Sequence, residues 1–355
     1  MDKRRARIWE RVEAAEVDGF LTYAPDNRYY ITGFTGSSGY VLMTAQETML
    51  LTDSRYAEQA KAQAQGVTVM MHAAQWLETL HEQVKRLAIR RLGFEPGSVT
   101  YKSFLKLRDA IPGIELVPLD DVVERLRMVK ETSELERIGE AAKIADDAFR
   151  HIAGFIRAGV SEREVALELE VYMRRQGASG VSFTTIVASG ERSALPHGVA
   201  SDRVIGRGEF VTLDFGARYN EYASDITRTV MVGPPSDRHK DVYALVLRAQ
   251  EHALAGIRSG MGGEAADALA RDIIRDGGYG DNFGHSLGHG LGLAVHEAPR
   301  LARKSEDMLQ EGMVVTVEPG IYIPGFGGVR IEDDIVLTAD GCARLTHATK
   351  ELLIL

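Results

Sequence analysis

Short apolar runs alternate with stretches of helical periodicity across residues 1–125. Some of these runs are rich in large or β-branched residues and predict strands at 19–23, 40–43, 48–51, 67–71 and 114–117. The second and third runs are close enough in sequence to form a hairpin. Strands that alternate with helices predict an α/β layer with a sheet at its centre.

The pattern changes near residues 125–132, where we place a domain boundary. Ser133 and Glu136 have the spacing of a capping box, and apolar residues then recur at helical intervals. We therefore expect an N-terminal α/β domain over residues 1–125 and a second domain over residues 126–355.

The second domain begins with helices and continues with strands. Ser161 and Glu164 form another capping box, and Gly177 could end the helix that they begin. Further helices are predicted after Ser236 and near Gly263. Strands are predicted at 183–188, 209–216, 222–231, 313–318 and 329–337. Strands that cluster apart from helices predict an α+β fold.

Composition narrows the class of protein. The chain has 355 residues, 45% apolar and 26% charged, a balance typical of a globular protein. The net charge of −9 argues against nucleic acid as a partner, since phosphate contacts need clusters of Lys and Arg. The single cysteine, Cys342, excludes an internal disulfide and a thiolate metal cluster. The N-terminal segment is amphipathic and no stretch of about 20 apolar residues could span a bilayer, so we expect no membrane partner and a cytoplasmic location.

Two acids flank a predicted hairpin whose turn lies around Tyr219 and Asn220. If the strands pair symmetrically about that turn, Asp214 and Asp225 are cross-strand partners, with Cβ atoms roughly 4.5–5.5 Å apart. Apolar neighbours indicate a buried setting, where two carboxylates repel unless one is protonated or a cation lies between them. For this hairpin alone, a turn whose acids point to water is an equal alternative.

A second hairpin shifts that balance. Glu318 follows a β-branched run, Glu332 follows Ile331, and a segment rich in Pro and Gly lies between them. Symmetric pairing about Gly325 would place Glu318 opposite Glu332. Two hairpins with facing acids in one domain are hard to explain without cations.

Histidines are concentrated in the glycine-rich segment 285–297. His285 and His289 have the spacing of a helical zinc pair, but glycines between and after them argue against a helix, since each costs about 1 kcal/mol there. Glycine instead lets the backbone approach a metal or a substrate closely. A lone histidine is more often structural than a ligand. Three histidines, including His296, in a chain with four such acids favour a functional site.

Charge indicates how many ions this site needs. Four carboxylates and one neutral imidazole carry −4, which two divalent cations neutralise, whereas one cation would leave −2 in a partly desolvated site. Oxygen donors with one imidazole favour Mn²⁺, Fe²⁺ or Co²⁺ over a structural zinc site. Zinc stays an alternative because the order of affinities does not select against it.

These motifs resemble those of the pita-bread metallopeptidases, which include methionine aminopeptidase, aminopeptidase P and prolidase. The matching segments are SALPHG at 193–198, SDITRT at 224–229, GHG at 288–290, HE at 296–297, VEPG at 317–320 and GVRIED at 328–333. In the first domain, TGFTGSSG at 32–39 and LTDSRY at 51–56 resemble the smaller domain of prolidase and aminopeptidase P. Methionine aminopeptidases generally lack that domain. The resemblance implies a C-terminal pita-bread (creatinase/aminopeptidase) domain preceded by a creatinase-like N-terminal domain.

The resemblance also implies a ligand set and a cofactor. All five ligand positions of the family pattern are filled, by Asp214, Asp225, His289, Glu318 and Glu332. They would bind two divalent ions, Mn²⁺ or Co²⁺ in the first place and Zn²⁺ or Fe²⁺ as alternatives. A hydroxide that bridges the two ions would attack the peptide bond, and Glu318 would also shuttle a proton.

Further roles follow from the same resemblance. His197 and His296 are not ligands in the family and would steady the substrate carbonyl and the developing oxyanion. Arg330 would face the substrate carboxylate or, with equal weight, pair with Glu332 or Asp333. His285 would lie behind the ligands.

The family supplies the expected reaction. We expect a prolidase that cleaves Xaa-Pro dipeptides, with an aminopeptidase P that acts on longer Xaa-Pro peptides as the alternative. A tertiary Xaa-Pro amide lacks the N–H that other peptidases bind, so a dedicated pocket is plausible. A non-catalytic peptide- or protein-binding module is a more distant alternative, because the ligand set is intact. Relatives are commonly dimers, and we expect a homodimer.

Overall fold

The strands of the first part of the chain form one mixed sheet. The structure is a computed structural model that describes residues 3–72 and 74–355, and the chain divides into two units after Arg127. The first unit contains α1 Lys3–Glu13, β1 Gly19–Thr22, α2 Pro25–Thr32, β2 Tyr40–Met43, β3 Thr48–Thr52, α3 Ala57–Gln63, β4 Thr68–Met71, α4 Trp76–Arg86, β5 Arg91–Phe94, α5 Tyr101–Ala110, β6 Glu115–Pro118 and α6 Glu124–Arg127. The sheet order is β4-β3-β2-β1-β5-β6.

The predicted α/β layer is confirmed. β2 and β3 form the expected antiparallel hairpin, whereas β3–β4, β1–β5 and β5–β6 pair in parallel. β5 was not predicted, because its four residues include Arg91 and Gly93 and carry little β-branched character. It forms a strand by pairing with β1, which lies about seventy residues earlier in the chain. A contact at that separation cannot be seen in the local sequence pattern.

The second unit runs from Met128 to Leu355. It contains α7 Thr132–Ala153, α8 Glu162–Arg175, β7 Gly180–Val181, β8 Ile186–Ser189, β9 Glu209–Phe215, β10 Ala217–Tyr219, β11 Tyr222–Ala223, β12 Ile226–Val232, α9 Asp237–Gly256, α10 Gly263–Ile274, β13 Gly288–Gly290, β14 Glu297–Leu301, β15 Val314–Val317, β16 Gly320–Ile323, β17 Gly327–Arg330, β18 Asp333–Leu337 and β19 Cys342–Arg344. No helix among the described residues is long and apolar enough to cross a membrane.

In two apolar clusters of this unit, a pair of helices packs against strands of the sheets. In one, Phe149 of α7 and Leu169 of α8 pack with Leu213 of β9. In the other, Val246 of α9 packs in the same cluster as Val315 of β15. The α+β prediction is confirmed, since the helices lie together against sheets built by later strands.

Helix starts were predicted with one error. The capping boxes at Ser161 and at Ser236 are present. The box at the start of α7 is formed by Glu131 and Glu134 rather than by Ser133 and Glu136. Glu131 has the extended backbone that an N-cap needs, and its carboxylate takes the place of the expected hydroxyl.

The register of the first acidic hairpin differs from the prediction. Asp214 pairs with Thr227, and Asp225 falls between β11 and β12. The turn residues are Asn220 and Glu221, which both have positive φ, at 46° and 71°. Moving the centre of the turn by one residue moves each cross-strand partner by two. The expected direct pairing of Asp214 with Asp225 is therefore wrong.

The second hairpin has the predicted register. Gly320 pairs with Arg330 and Val317 pairs with Asp333, so pairing is symmetric about Gly325 on both sides of the acids. Glu318 and Glu332 occupy equivalent positions in the gap between these two ladders. At this gap the chain passes from the sheet that contains β15 and β18 to the two-stranded sheet of β16 and β17. Glu318 and Glu332 therefore lie outside both strand ladders.

The glycines of the histidine segment allow a close approach between strands. Residues 288–290 of this segment form strand β13, and none of the segment is helical, as expected. A Cβ on Gly288 would lie 1.9 Å from the carbonyl oxygen of Thr316, and one on Gly290 would lie 2.2 Å from that of Ala298. His289 is thus held between two neighbouring strands by glycines on both sides.

The turn at Glu221 generates a stability prediction. A positive φ of 71° costs a residue with a Cβ about 1 kcal/mol, whereas glycine adopts it freely. We expect Glu221→Gly to raise the free energy of unfolding by about 1 kcal/mol, as measured in urea. Glu221→Ala is the control, because it removes the carboxylate and keeps the Cβ. An equal rise in both variants would contradict the strain explanation.

Candidate metal centre

Five acidic and imidazole side chains from different strands meet at one cavity of about 800 Å³. They come from β9, from the link between β11 and β12, from β13, and from the two sides of the gap in the second hairpin. These are the predicted ligands Asp214, Asp225, His289, Glu318 and Glu332. The fold therefore brings together residues that are more than one hundred positions apart in sequence.

Three of the five lie closest to one another. Asp225, His289 and Glu332 each offer a ligand atom, and these atoms lie within 4.8 Å of one another. The Nε2 atom of His289 is 3.8 Å from Asp225 Oδ2 and 3.4 Å from Glu318 Oε1. These separations exceed hydrogen-bond length for the Asp225 pair and leave room for an ion between the donors.

Two oxygens in this cluster lack hydrogen-bond partners among the described residues. Asp214 Oδ1 and Asp225 Oδ1 are both buried. A buried carboxylate oxygen without a donor is costly, because it has lost water and gained nothing in return. Unpartnered oxygens beside a neutral imidazole are what a divalent cation needs, so the residues fit a metal.

Burial and mutual repulsion raise the pKa values of Asp225, Glu318 and Glu332. The pKa of Asp225 lies well above its usual range because of burial and then the nearby Glu332 and Asp214. Burial likewise raises the pKa of Glu332 well above its usual range, and raises that of Glu318 to about 8. A divalent cation would reverse these shifts by favouring the ionised forms.

His289 is arranged to present one lone pair. Burial lowers its pKa to about 4, so the ring is neutral. Nδ1 lies 3.1 Å from the carbonyl oxygen of Gly290. A carbonyl only accepts hydrogen bonds, so Nδ1 carries the proton and Nε2 is left to face Asp225 and Glu318.

Arg330 is buried against the acids. Its Nη2 donates to Asp214 Oδ2 at 2.5 Å, and its Nη1 donates to the hydroxyl of Tyr322 at 2.6 Å. The predicted pairing with Glu332 or Asp333 is wrong, because Asp333 turns into the core and pairs with Arg228. Arg330 also lines the cavity, and its contact with a substrate carboxylate stays a prediction.

Thr227 links two of these groups and was not predicted as a site residue. Its hydroxyl donates to Glu332 Oε2 at 2.6 Å and accepts from Arg330 Nε at 3.0 Å. A continuous chain of hydrogen bonds thus runs from Glu332 through Thr227 and Arg330 to Asp214. Its sequence signal was position alone, two residues after Asp225.

The other predicted histidines line the cavity outside the close group. His197 and His296 are exposed to it, and the His296 ring lies 4.3 Å from that of His289. His285 also lines the cavity but bonds Tyr322 through Nε2 at 2.8 Å. His197 and His296 are therefore placed to meet a bound molecule.

Sequence reasoning missed two charged features of the cavity wall. Arg300 lines the cavity, is exposed, and has no ion pair with any residue that the structure describes. Glu297 is held by Lys130, with 2.7 Å between Nζ and Oε1 and both side chains largely buried. Arg300 lies four residues after His296, which was the available signal.

Comparison with known proteins identifies the family. The model of metallopeptidase family M24 matches residues 136–339, and that of the creatinase/prolidase N-terminal domain matches residues 4–129. The chain belongs to metallopeptidase family M24. The pita-bread domain, the creatinase-like N-terminal domain and the assignment as a peptidase are confirmed.

Individual M24 proteins resemble the chain over nearly its whole length. The Xaa-Pro dipeptidase of Pyrococcus furiosus is 41% identical over 99% of this chain and 100% of its own. A structure of an Xaa-Pro dipeptidase from Bacillus anthracis is 52% identical, covers 99% of each chain and superposes with a TM-score of 0.97. A structure of an X-Pro aminopeptidase from Thermotoga maritima is 42% identical, covers 98% of this chain and 100% of its own, and has a TM-score of 0.92.

The unpartnered oxygens generate a prediction for this M24 peptidase. We expect Mn²⁺ to raise the unfolding temperature of the metal-stripped protein, because a cation relieves the repulsion among buried acids. The gain should be about 2.7 kcal/mol when free Mn²⁺ is one hundred times its dissociation constant. Asp225→Asn should lose the rise while keeping the fold, as measured by calorimetry together with metal content.

His296→Ala is the matched control for that experiment. His296 lines the same cavity but lies outside the close group, so this variant should keep the full rise. A full rise in Asp225→Asn would contradict the ligand assignment. Loss of the rise in His296→Ala would place this histidine among the ligands.

Proposed function

We propose that this peptidase hydrolyses the Xaa-Pro bond of dipeptides with the help of two divalent metal ions. The ions would be held by the cluster of Asp214, Asp225, His289, Glu318 and Glu332. The observation that carries the proposal is that one cavity combines this cluster, two exposed imidazoles, an apolar wall and an unpaired guanidinium. Each of these features matches one part of an Xaa-Pro dipeptide.

The donor set supports Mn²⁺ or Co²⁺, since four carboxylates and one imidazole offer mainly oxygen. When bound, divalent ions lower the pKa of a coordinated water and polarise the substrate carbonyl. With Arg330 counted, the four carboxylates leave the site at −3. Two divalent ions with one hydroxide would neutralise it, whereas one ion with one hydroxide would leave −2.

The remaining chemistry belongs to side chains of the chain itself. Glu318 is the candidate to hold and release a proton, because its carboxylate lies within the cluster, with Oε1 3.4 Å from His289 Nε2. His296 and His197 face the cavity and can donate to the substrate carbonyl oxygen. Burial lowers the pKa of His296, so it acts as a neutral donor.

The apolar wall provides a place for the proline ring. Phe183, Ile186 and Val199 line the cavity. An Xaa-Pro amide has no N–H to bind, so apolar contact suffices for the ring. Burial of apolar surface against such a wall stabilises the bound substrate at about 25 cal/mol per Å².

Arg300 supports a dipeptide over a longer peptide. A dipeptide places its carboxylate one residue beyond the scissile bond, where an unpaired guanidinium can bind it through two hydrogen bonds. The alternative is an aminopeptidase that removes the residue before proline from longer peptides, which the Thermotoga maritima neighbour favours. The homodimer and the cytoplasmic location stay predictions from the sequence.

The choice between these two reactions is directly measurable. We expect the metal-stripped protein, restored with Mn²⁺ or Co²⁺, to hydrolyse Ala-Pro and to leave Ala-Pro-Ala largely uncut, because the carboxylate of the tripeptide is displaced from Arg300. Equal or faster cleavage of the tripeptide would identify an aminopeptidase P. Cleavage of neither with any metal would contradict the proposed proline specificity.

The role of Arg300 can be tested with a substrate that lacks the carboxylate. We expect Arg300→Ala to raise the KM for Ala-Pro by about tenfold to a hundredfold, the loss of a charge-assisted hydrogen bond worth roughly 1.5–3 kcal/mol. The KM for Ala-Pro amide should not change, because that substrate has no charge for Arg300 to bind. Equal effects on both substrates would show that Arg300 acts on the cavity's shape.

A further inference from the structure

The segment that carries His197 to the cavity has little regular structure of its own. We call residues 189–201 the His197 loop. It starts at Ser189, the last residue of β8, continues with a short 3-10 turn at Gly190–Ala194, and places Pro196, His197 and Val199 on the cavity wall. A histidine that meets a substrate must be held in place by contacts outside such a loop.

One buried carboxylate binds both ends of this loop. Glu162, the first residue of α8, has no exposed surface. It accepts from the backbone N and Oγ of Ser189 at 2.8 and 2.9 Å, and from the backbone N and Oγ of Ser201 at 3.1 and 2.6 Å. The two serines are the first and last residues of the loop, so a single side chain closes it.

The same carboxylate also braces the interior of the loop. Arg192 forms an ion pair with Glu162, and its other Nη atom donates to the carbonyl oxygen of Val199 at 2.9 Å. Arg330, which binds Asp214, donates to the carbonyl oxygen of Pro196 at 3.2 Å. His197 therefore lies between Pro196 and Val199, whose backbone carbonyls each accept a hydrogen bond from a guanidinium group.

The start of helix α8 does not require Glu162. Ser161 and Glu164 already form a complete capping box, with Ser161 Oγ accepting from the backbone N of Glu164 at 3.2 Å. A buried carboxylate is costly unless its oxygens are fully paired. The pairing of Glu162 is directed to the loop, which indicates that its effect is on the position of His197.

We propose that Glu162 is a positioning residue that sets the place of His197 against the substrate carbonyl. This inference rests on the proposed function in its use of His197. Glu162 itself lies outside the cavity wall and touches no substrate. Its effect on the reaction is transmitted through the backbone of the His197 loop.

Hydrogen exchange tests whether Glu162 holds the His197 loop in place, without any measurement of activity. In the full-length, Mn²⁺-loaded protein, we expect Glu162→Gln to speed amide exchange in residues 189–201 by at least about tenfold, because the amide keeps only one acceptor oxygen and loses the charge. Exchange in β12 serves as the internal reference. Glu164→Gln, which changes the same charge two residues away and bonds only Ser161, should leave the loop unchanged. Unaltered loop exchange in Glu162→Gln would overturn the proposal.

A double-mutant cycle tests whether the effect passes through His197. We expect Glu162→Gln to lower kcat for Ala-Pro by about tenfold to a hundredfold, as expected for a displacement near 1 Å, with little change in KM. In a His197→Ala background the same substitution should lower kcat no further. An equal loss in both backgrounds would show a general structural role and overturn the proposal.

Two additions keep the test decisive. If Glu162→Gln does not fold, Ser201→Ala is the substitute, because it removes the hydrogen bond from Ser201 Oγ to Glu162. It should also speed amide exchange in the loop and lower kcat, but by less. Unchanged exchange in the loop would overturn the proposal. Failure of the wild-type protein to cleave any Xaa-Pro dipeptide would overturn the proposed function. The exchange experiment would then still decide whether Glu162 holds the loop.

Discussion

Electrostatic repulsion among carboxylates is the constraint on which the rest of the second unit depends. Asp214, Asp225, Glu318 and Glu332 are held around one cavity, and burial with mutual repulsion raises the pKa of Asp225 and Glu332 well above its usual range. Arg330 supplies one positive charge through Asp214. A protein tolerates such a cluster when cations complete it, and the scaffold around the cluster keeps the acids from moving apart.

Backbone contacts between the two hairpins provide that scaffold. The backbone N of Asp225 donates to Asp334 Oδ2 at 2.9 Å, and the backbone N of Glu332 donates to the carbonyl oxygen of Thr227 at 3.1 Å. Arg228, almost fully buried, binds Asp333 at 2.7 Å. The ligand positions are therefore fixed by main-chain atoms on both hairpins, which are less free to relax than side chains alone.

The predicted ligands and the other residues that line the cavity lie on different kinds of structural element. The ligands lie on strands or next to them, whereas His197 and Phe183 lie on loops. Loops held by a rigid scaffold are where recognition can vary without disturbing the chemistry. The anchoring of each loop to the scaffold then decides how well its side chains meet a substrate, and the buried carboxylate of Glu162 is such an anchor.

Local patterns in the sequence determined much of this protein. Hydrophobic periodicity placed most strands and helices, and symmetric pairing about Gly325 predicted the equivalence of Glu318 and Glu332, because a tight turn sets register over a few residues. The cross-strand partner of Asp214 was predicted two residues from its true position, since the turn is centred on Asn220 and Glu221, which adopt positive φ, rather than on Tyr219 and Asn220.

Only the tertiary structure decided the contacts between distant segments. The pairing of Arg330 with Asp214, the bridge through Thr227 and the closure of the His197 loop by Glu162 join residues that lie from about 27 to 116 positions apart. Nothing in the local pattern distinguishes these partners from other charged or polar residues nearby. Which of them meet depends on how the two helix-and-sheet halves pack, and that is set by burial of the whole apolar core.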